Sequence, residues 1–205
     1  MDVGTAITSA FSAGISMYGV LALLGIAGRL DWIEGPELLQ RPAVIVVLLV
    51  LFVVELVVDK IAFLDSAWDA VHTVLRPAAG AAIMAIAPDQ TLPVPVALAI
   101  GGALALTSHS AKAATRALVN TSPEPVSNVV VSTAEDGLVA VLMALAIANP
   151  EVAAAITAVL VVLALGVILA ARHAVRSLRR RWKARKAAKR SGDGPSPPGA
   201  GPPRR

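Results

Sequence analysis

The chain has 205 residues, 56% of them hydrophobic and only 16% charged, with a mean hydropathy of +0.72. A soluble domain carries about 25% charged residues, and a chain this small cannot bury such an apolar excess within its own volume, so lipid is its expected solvent. The net charge of +4 is unevenly placed: residues 172–205 hold 12 of the 18 Lys and Arg against the single acid Asp193, while residues 1–171 are net acidic. A pI near 10 therefore describes a tail and not a nucleic-acid-binding domain, and an aromatic content of 3% offers no stacking platform for single strands. The absence of cysteine excludes disulfides, thiol catalysis and thiolate metal sites.

Uncharged stretches locate the expected spans, because about 20 apolar residues cross the hydrocarbon. The first is Val3 to Gly28. Asp2 stands where the positive region of a signal peptide would be, so this stretch reads as a retained span. The connection LDWIEGPELLQRP mixes charges with Trp32, Ile33, Leu38 and Leu39 and reads as interfacial. The second span runs from Pro42 to about Asp59 and contains Glu55. The third ends at Ala87. Its uncharged part, from Pro77, is only eleven residues, or about 16 Å of helix, so the span must begin earlier. Ser66-x-x-Asp69 has the form of a capping box. This start places Arg76 near mid-membrane, with Pro77 marking a bend.

The fourth span runs from about Leu92 to Val119, separated from the third by Pro88-Asp89-Gln90. The fifth ends at Ala148 and by the same length reasoning starts at Ser122-Pro123-Glu124-Pro125, with Ser122 as cap and Pro123 in the first turn. Glu135 and Asp136 then lie deep in the bilayer. The sixth is Val152 to Ala171. The basic run RHAVRSLRRRWKARKAAKR extends it, Trp182 lies near anionic headgroups, and a Pro/Gly-rich end follows. The expected fold is all-α, a polytopic membrane helix bundle of about six spans over residues 1–182, with residues 183–205 a basic, disordered cytoplasmic tail. The basic tail and outer loops free of Lys and Arg put both termini inside.

The charges within the spans are the candidate site. Asp69, His72 and Arg76 recur at 3 and 4 and share a helical face, as do His109, Lys112 and Arg116 on span four. Asn128, Ser132 and Glu135 follow at 4 and 3 on span five, beside Asp136, and Glu55 and Asp59 are four apart on span two. Charge facing lipid is costly, so these faces turn toward one another or toward water. A weak internal repeat relates spans two and three to four and five. It sets Glu55 on Lys112, Asp59 on Arg116 and Arg76 on Glu135, each with exchanged sign. Each of Arg76 and Glu135 also begins an apolar run of similar length toward the outer surface, so their depths should match, and the two are expected to face each other or to share a water-filled cavity near the middle of the bundle.

Two readings follow from these charges. They form structural salt bridges, or they line a hydrated site for an ion or small solute. A metal site of Asp69, His72, His109 and Glu135 has suitable ligand types but no dedicated spacing, so no metal and no cofactor is assigned. No G-x-S-x-G, H-E-x-x-H or P-loop is present.

The segments VELVVDKIAFLDSAWDAVHTVLRPAAGA and ALVNTSPEPVSNVVVSTAEDGL resemble the bacterial family catalogued as domain of unknown function 4126, small multi-pass membrane proteins of unestablished activity. The resemblance covers roughly residues 10–150 and rests on Asp59-Lys60, Asp65-Ser66, Trp68-Asp69, His72-Thr73, Arg76-Pro77, Ser122-Pro123-Glu124-Pro125, Ser127-Asn128 and Glu135-Asp136. Ala62 stands where a proline is expected. The resemblance implies a membrane protein and supplies no mechanism.

The leading expectation is a small transporter or channel-like protein in a bacterial inner membrane. A structural or assembly protein is the alternative, and a lipid-headgroup enzyme comes third. Expected partners are the bilayer, anionic headgroups at the basic tail, and an ion or small solute. A homo-oligomer is compatible with the pattern, and no nucleic acid is expected.

Overall fold

The computed structural model describes residues 1–61, 64–87, 92–119 and 125–190, all arranged as helices and their connections. The helices are α1 (Val3–Ala13), α2 (Met17–Arg29), α3 (Glu37–Gln40), α4 (Pro42–Val58), α5 (Leu64–Ala85), α6 (Val94–Val119), α7 (Pro125–Ala148) and α8 (Pro150–Arg190). The fold is an all-α bundle, as the long uncharged stretches of the sequence predict.

The stretch Val3–Gly28 is not one helix, which corrects the sequence reading. Asp2 caps α1 by accepting from the Thr5 N–H at 2.9 Å. The helix stops at Gly14, and Ser16 adopts an extended conformation before α2 begins. Such a break frees backbone carbonyls that must find donors. Here they find buried cations. The Gly14 carbonyl accepts from Arg76 and the Ile15 carbonyl accepts from Lys112.

The other spans keep close to their expected limits. Helix α4 opens with Pro42 in its first turn, where a missing N–H costs nothing. Helix α5 begins earlier than Ser66, because the Asp65 N–H already donates to the Ile61 carbonyl. Ser66 therefore lies inside the helix and its hydroxyl donates to Asp65 at 3.0 Å, so the expected capping box does not form. The helix continues through Arg76 and Pro77 to Ala85. Helix α7 is described from Pro125, so the proposed cap at Ser122 and Pro123 lies outside the described residues, as does the turn at 88–91. Helix α8 carries the basic run to Arg190, and residues 191–205 also lie outside.

In residues 1–168, α1 packs on α5, α6 and α7, while α2 packs on α4 and α7. Helices α5 and α6 form the most extensive contact, made possible where Gly80 meets Gly101. A Cβ on Gly80 would lie 2.6 Å from the Gly101 carbonyl oxygen and from the Ala105 Cβ, so only glycine permits this approach. Phe11, Val20, Leu24, Ile83, Leu142 and Met143 centre the apolar core.

The radial distribution of polarity is the reverse of a soluble protein's. On α5, Val74 is 73% exposed and Val71 64%, whereas Arg76 is 0% exposed. Among the described residues, three helical segments are long and apolar enough to cross a membrane: Val94–Ala117, Val129–Ala148 and Pro150–Ala184. Three shorter apolar helices accompany them, Val3–Ala13, Met17–Arg29 and Pro42–Val58. Apolar groups outside and charges inside are stable when the solvent is lipid, so these features mark a membrane protein.

Residues 169–205 form a separate unit, described as far as Arg190. It is helical and basic, with Trp182 exposed and the Lys186 ammonium 5.0 Å from the Trp182 ring centre.

Candidate functional site: a buried ion-pair network

The buried charges form two linked layers. The first centres on Arg76 of α5. Its Nη2 donates to Glu55 Oε1 of α4 at 2.9 Å, and its Nη1 donates to Asp69 Oδ1, one helical face below, at 3.0 Å. Glu55 also accepts from the Ser16 hydroxyl at 2.9 Å, which ties the α1–α2 break to the same carboxylate. The planar guanidinium thus spans α4, α5 and the break, a fit to its forked donors that a lysine could not reproduce.

The histidines complete this layer. Arg76 Nη1 lies 3.0 Å from His109 Nδ1. The guanidinium can only donate, so Nδ1 accepts and the proton of this ring sits on Nε2. That nitrogen then donates to the Thr73 hydroxyl at 3.2 Å, and Thr73 donates to the Asp69 carbonyl at 2.8 Å. His72 Nδ1 donates to the Trp68 carbonyl at 2.8 Å, and its Nε2 lies 3.1 Å from the Tyr18 hydroxyl. Trp68 stacks on the His72 ring with centroids 4.5 Å apart.

The second layer centres on Lys112 and Arg116 of α6. Lys112 pairs with Asp59 and donates to the Ile15 carbonyl at 2.9 Å. Arg116 Nη1 donates to Asp65 Oδ2 at 3.1 Å, and its Nη2 donates to Glu135 Oε2 at 3.0 Å. Asp59 lies 3.3 Å from the same guanidinium, so it bridges the two cations. Lys60 approaches Asp136 at 3.4 Å on the flank of this layer.

Between α5 and α6 lies a cavity of about 280 Å³ lined by Ser66, Asp69, Thr73, His109 and Arg116, with Ala70, Ala113 and Ala117 along its wall. It touches both layers. Glu55, Asp59, Asp65, Asp69 and Glu135 place five carboxylates in the two layers against three cations, Arg76, Lys112 and Arg116. Among the described residues, no group of three or more His, Asp or Glu is arranged to hold a metal ion.

A family model described as a domain of unknown function, DUF4126, matches residues 3–170. The chain belongs to the DUF4126 family. No curated protein and no solved structure matches it. The matched region takes in every residue of both layers of this DUF4126 chain, whereas the basic helix beyond residue 170 lies outside it.

The helical spacings on α5 and α6 place their residues as expected: Asp69, His72 and Arg76 are all buried, and so are His109, Lys112 and Arg116. Glu55, Asp59 and Ser132 are buried, while Glu135 and Asp136 are half-buried. The Asn128 side chain lies outside those described. Of the charge pairs implied by the repeat, Asp59 with Arg116 is formed. Arg76 does not face Glu135. Its carboxylates are Glu55 and Asp69, and Glu135 belongs to Arg116. The expectation matched their depths by apolar run length, but α5 is held tightly against α6 at Gly80, and α4 supplies the nearer acid to Arg76.

Asp65, Ser16 and Tyr18 were missed by the sequence reading. Asp65 lies four residues before Asp69, on the face that carries His72 and Arg76, so periodicity could have found it. Ser16 and Tyr18 sit in the small-residue stretch read as continuous helix, where only the Gly14-Ile15-Ser16 triplet hints at a break.

Proposed function

We propose that this DUF4126 protein is a small transporter or channel-like protein of a bacterial inner membrane. Its polar route lies between α5 and α6 and carries a cation or small polar solute. The observation that carries this reading is the cavity lined by Asp69, Thr73, His109 and Arg116. A purely structural ion pair gains from being sealed, whereas these groups border open volume. The excess of carboxylates over cations in the two layers favours a positively charged cargo, a proton included, because uncompensated buried charge is expensive. The α1–α2 break supports the reading as well. Discontinuous helices at polar centres are a recurrent way to offer backbone carbonyls to cations inside a bilayer.

The proposed topology has six spans: the α1–α2 pair counts as one, followed by α4, α5, α6, α7 and α8. Both termini are cytoplasmic. The basic end of α8 then meets the anionic inner leaflet.

A structural or assembly role is the second reading. It is favoured by the ion pairing of Arg76, Lys112 and Arg116, each with at least one carboxylate. A lipid-headgroup enzyme comes third. Purified protein in liposomes separates the three. Transport predicts flux of a proton, Na⁺, K⁺ or small polar solute that is lost in Arg76→Gln at unchanged insertion. Absence of flux with a co-purifying partner selects the structural role, and turnover of a lipid selects the enzyme.

A further inference from the structure

We propose that a second pocket, between α2, α4 and α7, binds a small lipophilic organic cation, an ammonium carrying an alkyl or aryl body, with Asp136 as its counter-ion. The pocket has a volume of about 200 Å³ and, among the described residues, shares no lining residue with the α5–α6 cavity. Its floor is α2 at Gly19 and Ala22, and its walls are Leu49 and Phe52 of α4 and Asp136 and Ala140 of α7. Helices α4 and α7 both pack on α2 but scarcely on each other, and the gap between them is the pocket.

The volume is built into the sequence. A Cβ on Gly19 would lie 2.8 Å from the Phe52 ring, so glycine lets that ring settle against α2. Alanine at 22 and 140 leaves the space beside it open. Apolar cavities of about 150 Å³ stay dry and accept a benzene ring, so this one takes a body of that size or slightly larger. The apolar walls cannot replace the hydration shell of a metal ion.

Asp136 sets the sign of the occupant. Among the described residues it is the only charged one in the lining. Its contact with Lys60 is 3.4 Å, longer than the 2.7–2.9 Å usual between such ions. Lys60 also donates to the Leu56 carbonyl at 3.2 Å and is about a third exposed, so it keeps a partner and reaches water when displaced. A carboxylate on an apolar, ring-lined volume selects a cation of low hydration over a neutral body and repels an anion.

The test uses the full chain in phosphatidylcholine nanodiscs, titrated with benzyltrimethylammonium and with its uncharged isostere neopentylbenzene. The ammonium should bind about tenfold more tightly than the isostere, the factor expected of one charge-assisted contact. Asp136→Asn should bring the two to equal affinity, and Ala140→Phe should abolish binding of both. Equal affinities for the wild type would leave only an alkyl-chain pocket and overturn the proposal. Absence of binding by either compound, or ammonium binding unchanged in Asp136→Asn or in Ala140→Phe, would overturn it too. The wild-type comparison needs no variant to fold.

Discussion

Arg76 on α5 donates to Glu55 on α4 at 2.9 Å, with both side chains withdrawn from the surface. The bond links the second and third apolar stretches of the chain across the α1–α2 break, because Glu55 also holds Ser16. An ion pair in such surroundings contributes little net stability, since desolvation offsets attraction, but the loss of one partner strands the other.

Arg76→Gln and Glu55→Gln should therefore each lower stability by about 3–5 kcal/mol. The double variant should lose clearly less than the sum, because neither charge is left alone. Arg76→Gln combined with Glu135→Gln should show a smaller coupling, as Glu135 is held by Arg116. Thermal unfolding in detergent measures all of these. A larger coupling to Glu135 than to Glu55 would contradict the arrangement of the first layer.

Gly80→Ala should destabilise the bundle by about 1–3 kcal/mol, the usual cost of overpacking. Its new methyl would press on the Gly101 carbonyl and on Ala105. Gly137→Ala has open space around its new methyl. It should be neutral or stabilising, because alanine favours helix over glycine by about 1 kcal/mol. Equal effects at the two sites, read from unfolding temperatures, would rule out the close α5–α6 approach.

Much of this molecule was legible in its sequence. Hydropathy alone located α4, α6 and α8, hydropathy with the length of a span located α5 and α7, and the 3-and-4 spacing put Asp69, His72 and Arg76 on one buried face and His109, Lys112 and Arg116 on another. Partner choice was not legible. Spacing fixes the face that a residue occupies, whereas pairing depends on which helices approach and at what height. The tight α5–α6 contact rests on Gly80 and Gly101, two glycines among many small residues, and nothing local distinguishes them. The α1–α2 break was hidden for a related reason. Gly14 and Ser16 look like ordinary members of an apolar run, and the donors that stabilise the break, Arg76 and Lys112, lie far along the chain.

The six-span topology proposed above predicts position 89 outside and position 191 inside. The chain has no cysteine, so a single one can be introduced at Asp89 or at Ser191 and probed with an impermeant thiol reagent in intact cells. Labelling is expected for Asp89→Cys and protection for Ser191→Cys until the membrane is opened. The opposite pattern would invert the orientation, and labelling of both would break the even span count.

The α5–α6 cavity is the feature on which the transport reading stands, and Ala113 offers a way to close it. Ala113 lines the cavity, and none of the ion pairs passes through it. The deciding measurement is proton, Na⁺ and K⁺ flux into liposomes containing either the wild type or Ala113→Phe, with matched insertion and unfolding temperature. Flux of at least one of these cations by the wild type, reduced to the level of empty liposomes by Ala113→Phe, is the expected result. No cation flux by the wild type, or flux undiminished by the plugged variant, would contradict a cation route between α5 and α6.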